Sequence, residues 1–251
     1  MGGADIRLKT PQEIATMREA GRILAGIFEE IRRSLKIGMT TADVDAIAEK
    51  MIHDNGVGAA FKGYRGYPAC ACVSVNDEVV HGIPGPRLLK DGDIVSIDLG
   101  IIYRNYYSDM AMTLGVGDIS SQARKLLDVT RQALKLGIAE AKPGNRLGDV
   151  SSAVQRYAEG KGFSIVRDFV GHGIGTRLHE DPEIPNYGSP RTGILLKEGM
   201  VLAIEPMVNA GTARTKMLKD GWTAVTADRH LSAHFEHTVA ITNKGPVILT
   251  A

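Results

Sequence analysis

The chain has 251 residues, 43% of them hydrophobic, enough for a full core in one large domain or two small ones. Its 30 Lys and Arg nearly balance its 29 Asp and Glu, which argues against nucleic acid as a direct substrate. No apolar run reaches the ~18 residues of a membrane span, and the opening MGGADIRLKT carries no apolar signal core. Two cysteines one residue apart, Cys70 and Cys72, make no disulfide framework and read as buried lining. A cytoplasmic location is expected.

In chain order, TPQE at 10–13 supplies a cap-type Thr, a Pro for the first turn and a Glu three residues on. An amphipathic helix is predicted from there to about residue 35. A second helix runs from about 41 to the Asn55-Gly56 stop signal. Residues 62–72, KGYRGYPACAC, read as an aromatic loop, and strands follow over 72–80. Two apolar, β-branched runs, 94–102 and 106–116, then form a hairpin with Tyr103 and Arg104 as the loop pair. That register puts Ile97 opposite Met110 and Val95 opposite Met112 on an apolar face. On the other face Asp98 falls directly across from Asp109. Like charges at ~5 Å are destabilising, so the pair is either solvated or joined by a proton or a cation. Helices are predicted over 120–141 and 147–160, and strands near 164–170, 200–208, 221–227 and 234–242. A Pro- and Gly-containing loop covers 176–193.

A faint repeat runs through this order. Lys36/Lys142, Gly38/Gly144, Asp43/Asp149, Val44/Val150 and Gly56/Gly162 match at one constant offset. One domain, 1–251, with duplicated αβ halves of about 10–118 and 119–251 around a cleft is expected.

Four further stretches place polar groups in apolar settings: VVHGIPG with His81, VGHGIGTRLHEDP with His172 and His179, MVLAIEPMV with Glu205, and SAHFEHTVAIT with Glu236. An ionised carboxylate in an apolar strand is costly unless paired or metal-bound. A lone case has an ordinary explanation at a strand edge, where Pro206 would fit; four acidic anomalies and a glycine-framed histidine do not. Asp98, Asp109, Glu205 and Glu236 would balance two divalent cations, with Asp109 and Glu236 bridging and His172 adding a nitrogen. This oxygen-rich set with one imidazole suits Mn, Fe or Co, and admits Zn. His81 and His179 lie outside that shell, where a cleft histidine can donate to a developing oxyanion or shuttle a proton. His53, His230 and His237 read as solvated or structural; His234 shares a strand face with Glu236 and stays open.

Together, YPACACVSVNDEVVHGIP, the Asp98…Asp109 hairpin, GHGIG, LHEDPEIPNYG, AIEPM and DGWTAVTADRHLSAHFEHT resemble the type I methionine aminopeptidases over nearly the whole chain. The resemblance implies the α+β pita-bread fold: two pseudo-symmetric αβ halves, a central antiparallel sheet and a dinuclear metal site. It implies Asp98, Asp109, His172, Glu205 and Glu236 as ligands of two divalent metal ions, with Glu205 as proton shuttle. It also implies His179 as hydrogen-bond partner of the scissile carbonyl and His81 as contact to the peptide nitrogen. The implied methionine pocket uses Phe61, Tyr64, Tyr67, Cys72, Leu178 and Trp222. The implied reaction removes N-terminal methionine from peptides and nascent proteins with a small second residue, by attack of a metal-bridged water or hydroxide on the first peptide bond. A monomer with transient ribosome contact is expected, and Met1-Gly2-Gly3 would itself suit such an enzyme.

Two residues depart from the family pattern. Leu178 stands where phenylalanine is usual, and Asn105 where the turn often has glycine. The chain shows no large helical insertion in its second half and no zinc-finger extension, which speaks against the type II branch. The competing expectations are an Xaa-Pro-directed peptidase of the same fold and a non-catalytic peptide-binding homologue.

Overall fold

A computed structural model describes residues 6–251; the Met1-Gly2-Gly3 start lies outside the described residues. Helix α1 (Pro11–Ser34) opens on the expected capping box. Thr10 Oγ1 accepts the Glu13 amide, and the Glu13 carboxylate accepts the Thr10 amide at 2.8 Å. Helix α2 (Thr41–Asp54) starts on a second box between Thr40 and Asp43. Helices α3 (Ser121–Glu140) and α4 (Leu147–Gly160) match their predicted spans within a residue or so.

The helices lie behind a nine-stranded sheet. Met17, Leu24, Phe28 and Ile31 recur at helical spacing on α1, and all are buried. Leu24, Phe28 and Ile31, with Val44, Ala48 and Ile52 of α2, bracket one core where Ile97, Leu99 and Met110 of the hairpin are buried, while Met17 packs with Ile174 and Leu178 in another. A second core joins α3 and α4 to Leu202, Ile204, Val239 and Ile241.

The hairpin is formed by Ile94–Tyr103 and Tyr106–Gly115. Its loop pair is Arg104-Asn105, one residue later than expected, with Tyr103 opposite Tyr106. Both loop residues have positive φ, 49° and 66°. A two-residue hairpin turn of this kind matches the strand twist and favours Asn or Gly. Asp98 therefore faces Ala111 and Asp109 faces Gly100, so the two aspartates are diagonal rather than directly opposite. The correction moves each residue's partner by two, and side chains alternate with a period of two. Both carboxylates thus stay on the predicted face.

Other boundaries also move. The expected 200–208 strand breaks at Glu205-Pro206 into Val201–Ile204 and Met207–Asn209, which belong to different sheets. Ser232–His234 and Glu236–Thr242 separate in the same way at Phe235. Only Ser164–Ile165 forms in the 164–170 region. The 176–193 loop contains a strand, Glu180–Ile184, which tolerates Pro182 because it lies at the end of the sheet.

Candidate active site

The register explains how distant carboxylates meet. Asp98 pairs with Ala111, and Ala111 with Glu236, so one row crosses three strands. Ala203 pairs with both Thr238 and His172. Asp109 lies two residues from Ala111, Thr238 two from Glu236, and Glu205 two from Ala203. All five proposed ligands therefore share one sheet face, opposite the helices. Thr238 locks the row. Its hydroxyl accepts the Asp109 amide at 3.0 Å and donates to the Asp109 carbonyl at 2.8 Å.

His172 Nδ1–H donates to the Gly173 carbonyl at 2.9 Å. A carbonyl can only accept, so the Nε2 lone pair is turned inward. There it faces Glu205 Oε1 at 3.6 Å and Asp109 Oδ2 at 3.9 Å. Asp109, His172 and Glu236 each offer a donor atom within 4.8 Å of the others. Asp98 Oδ1 and Glu236 Oε1 are buried without a hydrogen-bond partner. Burial, then repulsion by Asp109, pushes the Asp98 carboxyl far above the usual range. Burial also raises Glu205 and Glu236, followed by repulsion from Asp98 at Glu205 and from Asp109 at Glu236. Burial lifts Asp109 to about 7. Burial pushes His172 down to about 4, keeping it neutral. Facing acceptors with orphaned oxygens and an inward lone pair form a donor set that fits divalent cations.

These groups floor a cleft of about 150 Å³ whose walls include every expected pocket residue: Phe61, Tyr64, Tyr67, Cys72, Leu178 and Trp222. Cys72 enters because it pairs with Asp98 across the neighbouring strand. Phe61 packs where Gly100 leaves room; a Cβ there would meet its ring at 2.8 Å. His81 and His179 also line the cleft. His81 sits at φ 60°, a left-handed backbone that turns its ring edge-on to Phe169 at 5.4 Å and Trp222 at 6.4 Å. His179 Nδ1 lies 2.8 Å from the Tyr64 hydroxyl. Burial, then the neighbouring His172, drives its pKa down to about 3.

The His179 loop is clamped from outside. Glu180 accepts the Arg177 amide at 3.1 Å and the Thr176 hydroxyl at 3.4 Å, and pairs with Lys9 at 2.7 Å. The side chains of that ion pair are 2% and 6% exposed.

The chain matches the family model for metallopeptidase family M24 over residues 15–243. The chain belongs to metallopeptidase family M24. It is 55% identical to methionine aminopeptidase 1 of Bacillus subtilis, across 96% of this chain and 98% of that one. The crystal structure of methionine aminopeptidase from Thermotoga maritima superposes with a TM-score of 0.96 at 50% identity, covering 98% and 99% of the two chains. Prolidase from Pyrococcus furiosus superposes at 0.77 with 26% identity, and 65% of its chain is covered. This M24 chain is thus a pita-bread hydrolase with residues suited to divalent metal. Among its described residues no helix is long and apolar enough to cross a membrane.

Three M24-site residues escaped sequence reasoning. Arg65 lines the cleft, although its only local signal is the flanking Gly63 and Gly66. Phe169 touches His81, and Thr238 holds Asp109; neither has a sequence signal of its own. His234, left open above, is buried with Nε2 3.5 Å from Glu205. His237 points away and bonds Thr250, while the His53 and His230 side chains are exposed.

Proposed function

We propose that this chain removes the N-terminal methionine from peptides and nascent proteins with a small second residue. The observation that carries the proposal is the set of five donors on one sheet face beside an apolar pocket closed by Phe61, Tyr67, Cys72 and Trp222. Asp98, Asp109, His172, Glu205 and Glu236 would hold two divalent ions, with Mn, Fe or Co preferred and Zn admitted. Such ions, when bound, supply Lewis-acid polarisation and a water activated near neutral pH.

The protein's own groups then divide the work. His179 is neutral, so with the Tyr64 hydroxyl donating to Nδ1, its Nε2–H is free to donate to the scissile carbonyl oxygen. His81 is held neutral by burial and aimed by its left-handed backbone, which suits a hydrogen bond at the peptide nitrogen. Glu205 is the proton carrier; it lines the cleft with its Oε1 3.6 Å from His172 Nε2, among the groups that face the scissile bond. The pocket walls take the methionine side chain, and the narrow cleft excludes a bulky second residue.

The 1–251 single-domain reading with halves 10–118 and 119–251 is part of the proposal. Gly38 and Gly144 share φ near 90°, at 86° and 91°, which supports it. So do the matching bridges Thr40↔Leu88 and Arg146↔Leu195 before α2 and α4. Action as a monomer with transient ribosome contact rests on the family resemblance, and a cytoplasmic location on the cysteine usage.

The test is hydrolysis of Met-Gly-Ser by chelated protein with Mn, Co, Fe or Zn restored, beside Met-Leu-Ser and an Xaa-Pro peptide. Metal-dependent release of methionine from the first alone is expected. Cleavage of the Xaa-Pro peptide instead, or none with any metal, would overturn the proposal.

A further inference from the structure

Arg65 sits in an unusual place for an exposed cation. It lies in the turn Tyr64–Gly66 with φ 49° and ψ 23°, left-handed values that cost a non-glycine residue energy. Gly63 and Gly66 on either side also have positive φ, 86° and 87°, so the turn as a whole is wound to present this residue. Strain of this kind concentrates at ligand clamps.

The side chain is turned to the cleft, where it is among the lining groups although the residue is exposed. Its guanidinium lies 5.4 Å from the centre of the Tyr64 ring, and the Tyr64 hydroxyl touches His179. Arg7, Arg32, Arg87, Arg124 and Arg229 each hold an acidic partner. Among the described residues Arg65 has none, as is also true of Arg18, Arg22 and several others, but of these it is Arg65 that lines the cleft.

The inference rests on the function proposed above. The substrate's amino end lies at the carboxylate floor, so the chain beyond the scissile bond must leave past the exposed rim. Two extended residues span about 7 Å, within reach of an arginine side chain anchored beside Tyr64. A guanidinium recognises carboxylates through paired donors.

We propose that Arg65 is a specificity determinant that binds a carboxylate carried by the substrate at its third or fourth residue. The carboxylate has two sources, an Asp or Glu side chain or the free C-terminus of a short peptide.

The experiment compares kcat/KM for Met-Ala-Glu-Ser-amide, Met-Ala-Gln-Ser-amide and Met-Ala-Lys-Ser-amide on the metal-loaded protein, with Met-Ala-Gln as free acid and amide. At low ionic strength the Glu peptide should exceed the Lys peptide about three- to tenfold, mostly through KM. The ratio should shrink in ~0.5 M salt, where screening reaches a few ångströms. Arg65→Gln should bring it to near one, Arg65→Glu should invert it, and Arg65→Lys should keep part of it. Ratios within each variant are compared, so a general loss of rate does not obscure the result. A preference for the free acid alone would support the proposal and assign the carboxylate to the C-terminus. Equal rates in the natural protein, or a ratio preserved in Arg65→Gln, would overturn it. Methionine release from none of the peptides would instead overturn the parent function, and this inference with it.

Discussion

His172 shows how one backbone hydrogen bond decides a side chain's chemistry. Its Nδ1–H is committed to Gly173, so Nε2 has only a lone pair to offer the carboxylates. His172→Ala should therefore lower bound metal per chain by atomic emission, at an affinity cost of at least the ~10–100-fold seen for supporting residues alone. His179 presents the opposite case. It stands outside the donor set, its ring 4.3 Å from that of His172. His179→Ala should leave metal content unchanged and lower kcat by about 10²–10³, the usual loss of an oxyanion donor. Equal metal loss in both variants would refute this division.

At the scale of elements, the segment before α1 holds the His179 loop through Lys9. The Lys9–Glu180 pair is nearly excluded from water, and removing one partner strands the other charge. Lys9→Met should cost about 3–5 kcal/mol in denaturant unfolding. The pair also carries a pH signature. Burial raises the Glu180 carboxyl, but the Lys9 hydrogen bond and charge, with the hydrogen bonds from Arg177 and Thr176, together outweigh it and leave it below its ordinary 4.5. A lowered folded value means stability that is complete above 4.5 and lost as pH falls through the folded value. Glu180→Gln should be less stable near neutrality and lose less on acidification. A parallel pH profile for variant and natural protein would count against the pair.

For the whole molecule, the cost of the site is four carboxylates crowded in a cleft on the sheet face opposite the two helix-backed cores. Cations that bind the folded state alone stabilise it by about 2.7 kcal/mol at a hundredfold excess over Kd. Thorough chelation should lower the melting temperature by several degrees, and restored metal should return it. An unchanged melting temperature in verified metal-free protein would mean that the cluster carries no such penalty.

Several local signals were legible in the amino-acid sequence. The Thr10 capping box, the Asn55-Gly56 stop and the alternation in 94–116 act over a few residues, and each formed as read. The face of the two aspartates was determined as well, because a register correction of two cannot turn a side chain over. Buried carboxylates in apolar strands announced a site, since their desolvation cost demands a partner. Tertiary structure alone decided which partners met. Strand pairing between segments more than a hundred residues apart assembled the row from Asp98 through Ala111 to Glu236. It also decided that Pro206 would split one apolar run between two sheets. Arg65 marks the limit most clearly. Its meaning depends on having no acidic neighbour at the rim of a cleft, and absence of a neighbour is a property of space, not of sequence spacing.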